Sequence, residues 1–186
     1  MRIIGGNRRG LKLADVGEGD AAAHLRPTSD RVREAIFNLL INAHGNPVAG
    51  ARVLDLFAGT GALGLEALSR GASQVTFVDD GATALGLIRA NIAKMRAEAE
   101  TRVIRQDARK LGRNAGSAYG LVFLDPPYGK GLGEVALAAA RTGGWLAPGA
   151  MVVWEEGAAP VVPEGFALAD QRKYGDTAVT LLQVVG

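Results

Sequence analysis

Four consecutive residues, Asp125-Pro126-Pro127-Tyr128, carry the clearest chemistry in this sequence, and they follow a short apolar run at 120–124. Two prolines cannot continue a central strand, so the chain must turn here. The Asp125 carboxylate and the Pro126 carbonyl are two acceptors that can hold the two hydrogens of an exocyclic amine. Tyr128 offers a flat face on which a base can stack. The motif predicts chemistry on the amino group of a nucleobase, although a rigid strand-to-loop turn is the simpler alternative.

The amine of a base is a poor nucleophile because its lone pair is delocalised into the ring. Two acceptors on its hydrogens would aim the nitrogen at a methyl sulfonium and stabilise the charge that develops there. Whether Asp125 also takes a proton stays open, because the proton can leave to water after the transfer. Asp125, Pro126 and Tyr128 are therefore the candidate catalytic residues.

A glycine turn at 59–64, of the form G-x-G-x-x-G, follows a second apolar run at 52–57, and Asp79 lies about 20 residues further on. This is the pattern of an NAD-binding turn, but other nucleotide-binding classes share it. Asp55, just before the glycines, would repel a pyrophosphate and would attract the ammonium and sulfonium of S-adenosylmethionine. Because a carboxylate within an apolar strand needs partners, Asp55 should accept from backbone N–H groups or a ligand.

Acidic residues follow each of the first four predicted strands, and the carboxyl ends of such strands line the ligand crevice of an open α/β sheet. Asp79 is placed to take the ribose hydroxyls, Asp107 to accept from the adenine amine, and the Ala108 N–H to donate to a ring nitrogen. The alternative is that each acid only caps the helix that follows. The candidate cofactor-binding residues are Asp55, Gly59, Gly61, Asp79, Asp80, Asp107 and Ala108.

Strand-like and helix-like segments alternate through the centre of the chain, which predicts parallel strands with right-handed crossovers. A first helix should begin at Thr28 or Ser29, bury an apolar stripe and expose Arg33 on its polar face. Two further strands without an intervening helix should close one edge as an antiparallel hairpin. The predicted strands are 52–57, 74–79, 102–105, 120–124, 150–155, 166–173 and 177–185, and the later helices are 62–70, 82–98 and 132–142.

The N-terminal segment differs from the rest: the net charge of the chain is only +2, yet residues 1–13 contain four cations and no acid. Residues 2–13 place two apolar pieces around a glycine-rich centre, which predicts a β-hairpin with a basic tip. Residues 14–24 show no periodicity and are predicted to form a mobile linker. A basic arm favours a polyanionic partner, although incidental charge on a solvated terminus is the alternative. The predicted units are therefore 1–24 and 25–186.

Composition excludes several classes of protein. The 186 residues include no cysteine and two histidines, so disulfides and thiolate zinc sites are excluded and little remains for a histidine-based metal site. No apolar run approaches about 18 residues, and the N-terminus lacks a signal-peptide core. We expect a cytoplasmic protein without a metal and without a membrane partner.

Three segments accompany D-P-P-Y in order: R-P-T-S-D-R-V-R-E at 26–34, D-L-F-A-G-T-G at 55–61 and K-Y-G-D-T at 173–177. Together they resemble the bacterial 16S rRNA guanine-N2 methyltransferase family over nearly the whole chain. The resemblance implies an α/β fold of the Rossmann-like class I methyltransferase type. Its sheet would be seven-stranded and mostly parallel, with an antiparallel C-terminal hairpin and a small N-terminal β-hairpin that contacts RNA.

The same resemblance implies S-adenosylmethionine as cofactor and, as partner, 16S rRNA in the small ribosomal subunit or its assembly intermediate. Thr28 would border the cofactor or an RNA phosphate. We expect a monomer. The candidate RNA-binding residues are Arg8, Arg9, Lys12, Arg26 and Arg31.

Two other functions remain open. The D-P-P-Y motif also suits an amino-methyltransferase on another nucleic acid, such as a DNA adenine-N6 enzyme. Such an enzyme would usually need an added recognition domain, and little chain follows the last predicted strand. The other alternative is a non-enzymatic domain that binds RNA or NAD, which the D-P-P-Y motif disfavours.

Overall fold

The computed structural model describes residues 1–16, 25 and 28–186. Arg26 and most of the predicted linker 14–24 lie outside the described residues. The helices are α1 (Asp30–Ala43), α2 (Ala62–Ser69), α3 (Ala82–Met95) and α4 (Leu132–Thr142). The strands are β1 (Arg52–Leu56), β2 (Gln74–Asp79), β3 (Thr101–Arg105), β4 (Tyr119–Leu124), β5 (Leu146–Glu156), β6 (Phe166–Tyr174) and β7 (Thr177–Val184).

The strands form one seven-stranded sheet in the order β3-β2-β1-β4-β5-β7-β6. The first five strands run parallel, and β7 pairs antiparallel with both β5 and β6. Two apolar clusters, one on each side of the sheet, bury the alternating side chains of the central strands. The predicted Rossmann-like class I methyltransferase fold, with its antiparallel C-terminal hairpin, is thereby confirmed.

Several predicted boundaries were wrong by a few residues. Strand β1 ends at Leu56 because Phe57 adopts a left-handed backbone with φ 54°. Helix α3 ends at Met95 rather than at residue 98, because Arg96 caps it in the left-handed region. Strand β5 begins at Leu146, four residues before the predicted start, and passes through a proline and a glycine. These features are local backbone conformations that hydrophobic periodicity does not encode.

The predicted N-terminal hairpin is present, with Arg2 bridged to Lys12 and the Ile3 N–H donating to the Leu11 carbonyl at 2.9 Å. It packs on the main fold, since Ile3 and Leu13 are buried in the same cluster as residues of α1 and the sheet. At Gly6, whose φ is 79°, an added Cβ would lie 1.8 Å from the Ser69 carbonyl oxygen, so only glycine fits.

A buried ion network joins the hairpin to helices α1 and α2. The Glu66 carboxylate, fully buried on α2, accepts from the backbone N–H groups of Ile4 at 3.0 Å and Gly5 at 2.9 Å. Arg70 donates to the same carboxylate at 2.8 Å, and Arg33 pairs with it at 3.5 Å. The prediction that Arg33 lies on an exposed face was wrong, because Glu66 supplies the counter-charge that lets a guanidinium be buried.

Helix α1 is otherwise formed as its sequence indicates. Ser29 is the N-cap, and its hydroxyl oxygen accepts from the Val32 N–H at 3.2 Å. Ile36, Phe37 and Leu40 are fully buried. Among the described residues, no helix combines the length and apolar character needed to cross a membrane.

We predict that Glu66→Gln lowers the free energy of unfolding by about 3–5 kcal/mol, because it removes the fully buried counter-charge shared by Arg33 and Arg70 and leaves Arg33 with the partly exposed Asp30. Urea unfolding followed by circular dichroism measures the change. Glu98→Gln, at an exposed position, is the matched control and should shift stability by no more than about 0.5 kcal/mol. Equal stability of the two variants would contradict a role for Glu66 in holding the hairpin.

Candidate active site

A cavity of about 380 Å³ opens at the carboxyl ends of the parallel strands. Most of the predicted cofactor-binding residues line it. Gly61 is not among the described lining residues, and it instead forms the N-cap of α2. Of the predicted catalytic residues, Asp125 lines the cavity, whereas the described lining does not include Pro126 or Tyr128. The predicted residues on the wall are Asp55, Gly59, Asp79, Asp80, Asp107, Ala108 and Asp125.

Asp55 is buried at the floor of the cavity, where β1 is about to end. Its Oδ2 accepts from the Gly64 N–H at 3.0 Å, as expected for a carboxylate that needs a backbone partner. Burial raises the pKa of Asp55 well above its ordinary value; the Gly64 hydrogen bond opposes this shift, and the charges of Asp125 and Asp79 add to it. A positively charged ligand would be attracted to this carboxylate and would favour its ionised form.

The glycine turn is held from the second strand. Asp79 accepts from the Gly59 N–H at 3.0 Å and from the Gly81 N–H at 2.9 Å, so it fixes both the glycine turn and the residue that precedes α3. Burial raises the pKa of Asp79. At Gly64 a Cβ would lie 2.5 Å from the Phe77 ring, which explains why the third glycine of the pattern is needed for helix–strand packing.

Asp107 has a different environment. The Arg109 guanidinium bonds both of its oxygens, with the shortest distance at 2.7 Å, and the Arg109 N–H donates to it at 2.9 Å. This hydrogen bonding lowers the pKa of Asp107. Asp107 thereby caps a single 3-10 turn, Ala108–Lys110, which realises the capping role that the sequence left open. Any contact with an adenine amine would use its remaining lone pairs. The role of Ala108 in binding a ring nitrogen stays a prediction.

The D-P-P-Y segment leaves β4 and is anchored on both sides. The Asp125 N–H donates to the Leu56 carbonyl at 3.4 Å, which ties the motif to the end of β1. The Tyr128 hydroxyl lies 3.2 Å from that of Thr177, at the start of β7, so the K-Y-G-D-T segment helps to fix the tyrosine. Pro126 is buried. Stacking of a base on Tyr128 stays a prediction.

Several residues of the site were not singled out by their sequence pattern. Pro127 and Lys130 lie on the cavity wall, as does Thr28, for which only a place beside the cofactor or a phosphate was expected. Glu155, 3% exposed, follows the apolar residues of β5 in the strand that neighbours β4. The signal was available, because Glu155 lies at the carboxyl end of a buried strand, as Asp55 and Asp79 do.

The predicted RNA-binding residues differ in their exposure to solvent and in the contacts they make within the protein. Arg9, Lys12 and Arg31 are exposed. Arg8 instead donates to the Met95 carbonyl at 3.2 Å and lies 3.6 Å from a Glu100 carboxylate oxygen. Arg26 is outside the described residues. The exposed members are thus better placed than Arg8 to contact a polyanion.

The model of a protein family described as "Conserved hypothetical protein 95" matches residues 1–183. Over 98% of its length, the chain is 40% identical to the ribosomal RNA small subunit methyltransferase D of Escherichia coli K12, of which it covers 89%. The chain belongs to this methyltransferase family. The resemblance drawn from its motifs is thereby confirmed.

Other members of the family agree. The ribosomal RNA small subunit methyltransferase D of Haemophilus influenzae is 36% identical over 98% of this chain and 93% of that relative. The solved structure of the Escherichia coli protein yhhF, assigned as a methyltransferase, superposes with a TM-score of 0.84 at 37% identity. That superposition covers 100% of this chain and 98% of the other.

We predict that Asp55→Asn changes the pH dependence of stability. Burial raises the pKa of Asp55, so over the window between the ordinary and the raised value the folded wild type holds a proton that the unfolded chain has released. The free energy of unfolding of the wild type therefore falls as the pH rises through that window. The variant lacks this contribution, so its stability relative to the wild type should increase from about pH 4 to about pH 8.

Urea unfolding of the ligand-free protein at both pH values measures this difference. Asp176→Asn, at an exposed carboxylate outside the cavity, is the control and should keep a constant offset from the wild type. A constant offset for Asp55→Asn as well would mean that burial does not perturb this carboxyl group.

Proposed function

We propose that this protein transfers a methyl group from S-adenosylmethionine to the exocyclic N2 of a guanine in 16S rRNA. As a member of this family, the protein is an S-adenosylmethionine-dependent rRNA methyltransferase. The guanine N2 target, the small subunit or its assembly intermediate as substrate, and action as a monomer in the cytoplasm are the parts we propose. The observation that carries the proposal is the position of Asp125, an amine-holding carboxylate on the wall of a crevice suited to a cation.

The residues of the cavity fit this cofactor. Five carboxylates line the wall, and the Arg109 guanidinium there is already bound by Asp107. Such a site favours an ammonium and a sulfonium and disfavours a diphosphate. Asp55 would face the charged methionine end, and Asp79 would use its remaining lone pairs on the ribose. When bound, S-adenosylmethionine supplies an electrophilic methyl group.

The chain itself then needs to hold and orient the amine. Asp125 and the Pro126 carbonyl accept the two N2 hydrogens, which turns the nitrogen towards the methyl group and stabilises the positive charge that grows on it. The amine nitrogen gains a bond to the methyl carbon as the bond from that carbon to sulfur breaks, with a neutral thioether as the leaving group. One hydrogen of the amine must then leave as a proton, either to Asp125 or to water. The anchored Tyr128 ring would support the base from one face.

The direct test is methyl transfer from labelled S-adenosylmethionine to small ribosomal subunits that lack the modification, followed by mapping of the labelled base. Label on the N2 of one guanine supports the proposal. A parallel reaction with duplex DNA tests the adenine-N6 alternative, because label on DNA alone would replace the proposed substrate. Label on neither would contradict the small subunit as substrate.

We predict that Asp125→Ala reduces methyl transfer by roughly a hundredfold or more, because the amine loses an acceptor and the growing charge loses a counter-charge. Affinity for S-adenosylmethionine, measured by calorimetry, should remain close to that of the wild type. Asp125→Asn keeps one acceptor oxygen and should be intermediate in rate. Near-normal turnover of Asp125→Ala would remove Asp125 from the mechanism.

We also predict that neutralising Arg9 and Lys12 together weakens rRNA binding and reduces the dependence of affinity on salt, by roughly 0.7–0.9 in logarithmic slope for each phosphate that the protein no longer neutralises. Fluorescence anisotropy over a series of salt concentrations measures the slope. Arg113→Gln, on the exposed loop before β4, is the control for loss of a cation elsewhere on the surface. An unchanged slope for the double variant would mean that the hairpin cations do not contact phosphate.

A further inference from the structure

The family resemblance places Thr28 beside the cofactor or a phosphate but assigns it no role. Thr28 precedes the N-cap of α1 and lines the cavity next to the amine-holding motif. Its hydroxyl oxygen lies 3.4 Å from Asp125 Oδ2 and also 3.4 Å from Glu155 Oε1. These distances are long for hydroxyl–carboxylate bonds, and bonds of this kind commonly tighten when substrate binds. One hydroxyl therefore faces two carboxylates and the cavity at the same time.

The two carboxylates are neighbours because of the sheet register. Leu124 of β4 pairs with Trp154 of β5, so the residues that follow them, Asp125 and Glu155, stand side by side at the strand ends. Asp125 lies on the wall of the cavity, whereas Glu155 is buried at 3% exposure behind it. Thr28 thus has one acidic neighbour in the cavity wall and one in the protein interior.

The direction of the Thr28 hydroxyl follows from the donors available. A threonine hydroxyl has one hydrogen to donate and two lone pairs, whereas an ionised carboxylate only accepts. The hydrogen must therefore point towards Glu155 or Asp125. A lone pair of the Thr28 oxygen is left for the cavity, where it adds an acceptor beside the Asp125 carboxylate.

We propose that Thr28 is the residue that selects guanine, by accepting the N1–H of the target base while Asp125 and the Pro126 carbonyl accept the N2 hydrogens. This inference rests on the proposed guanine-N2 activity and adds to it the means of choosing the base. Glu155 is a positioning residue that draws the Thr28 hydrogen away from the cavity.

The selectivity arises because the three groups proposed to meet the edge of the base, which are Asp125, the Pro126 carbonyl and the Thr28 oxygen, are all acceptors. Guanine carries an N1–H donor beside its N2 amine, so N1 and N2 both present hydrogens to these three acceptors. Adenine and cytosine carry a ring-nitrogen lone pair beside their amines, and that lone pair would meet the lone pair of the Thr28 oxygen. Their amines would bind weakly, because the ring nitrogen and the Thr28 oxygen are both acceptors and would face each other without a hydrogen between them.

The wall is rigid enough to discriminate. Helix α1, which carries Thr28 at its start, packs against β4 through the rings of Phe37 and Phe123, whose centroids are 5.6 Å apart. The buried pair of Arg33 and Glu66 fixes the same helix to α2. Thr28 and Asp125 are thereby held on two elements that move together.

The test compares small subunits that carry guanine or 2-aminopurine at the methylated position. 2-Aminopurine keeps the N2 amine but has a lone pair at N1, and it also lacks the O6 oxygen. The wild type should methylate guanine with a kcat/KM roughly 10- to 100-fold above that for 2-aminopurine. Subunits with inosine, which has no N2 amine, should take up no label.

Variants isolate the contact with Thr28. In Thr28→Val the guanine to 2-aminopurine ratio should fall to within about threefold, whereas Thr28→Ser should keep the wild-type ratio. The loss of O6 in 2-aminopurine should affect the wild type and the variants equally. A change in the guanine to 2-aminopurine ratio between them therefore reports the contact between Thr28 and N1. Ser29→Ala removes the neighbouring hydroxyl, which serves only as the α1 cap, and should leave the ratio unchanged.

Glu155→Gln tests the positioning role. A glutamine amide can donate to the Thr28 oxygen and release the hydroxyl hydrogen towards the cavity, so the ratio should fall while affinity for S-adenosylmethionine is kept. A ratio that stays at the wild-type value in this variant would remove Glu155 from the inference.

The outcomes separate the two proposals. If the wild type methylates neither guanine nor 2-aminopurine, the guanine-N2 function itself is wrong. If it methylates both bases equally well, or if Thr28→Val loses activity on both by the same factor, the function stands and Thr28 does not select the base. The comparison of the two bases with the wild type needs no variant, so it decides the question even if a substituted protein fails to fold.

Discussion

The structure depends on aspartate side chains that are buried or partly buried at the C-terminal ends of parallel strands. Removing a carboxylate from water is unfavourable unless backbone donors or cations replace the lost hydration. Asp55 receives one backbone N–H from Gly64, and Asp79 receives two, from Gly59 and Gly81. Burial raises the pKa of both side chains, so a cationic ligand in the crevice would stabilise their ionised forms. The same hydrogen bonds shape the glycine turn. These aspartates therefore determine both the local fold and the charge of the proposed cofactor site.

This arrangement creates a conflict for an enzyme that acts on RNA. A crevice lined by carboxylates repels phosphate, so the polyanionic backbone has to be held elsewhere while a base enters alone. The exposed Arg9 and Lys12 on the N-terminal hairpin, and Arg31 on α1, provide positive charge outside the crevice. The division between a basic arm and an acidic crevice explains why a net charge of only +2 is compatible with rRNA as substrate.

Much of the fold could be predicted because hydrophobic periodicity reports it directly. The limits of β2 and α4 were predicted to the residue, since turn residues bound both of them clearly. The misassigned ends of β1 and α3 lie where the backbone takes a left-handed conformation, at Phe57 and Arg96. Periodicity also misplaced Arg33, because burial of a cation depends on a partner such as Glu66, which lies 33 positions further along the chain and becomes a neighbour only after folding.

Sequence patterns also predicted only part of the candidate site. Motifs identified residues that act from consecutive positions, such as Asp125 and the glycine turn, because local spacing fixes their geometry. The grouping of Thr28, Asp125 and Glu155 joins three separate parts of the chain, and only the strand register brings them together. Sequence spacing does not contain that information, although the position of Glu155 at the end of a predicted strand could have drawn attention to it.

Helix α1 gives the hairpin and the base site a common frame. Arg33 of α1 donates to the carbonyl of Arg2 in the hairpin, bonds Asp30 at 2.9 Å and pairs with the buried Glu66. Thr28 precedes the same helix by two residues and reaches Asp125. A buried ion network therefore joins the hairpin to the helix that Thr28 precedes, and Thr28 borders the cavity. A flexible arm could only raise the local concentration of RNA, whereas an arm anchored in this way would, under the proposed function, also fix the orientation in which a base approaches Asp125.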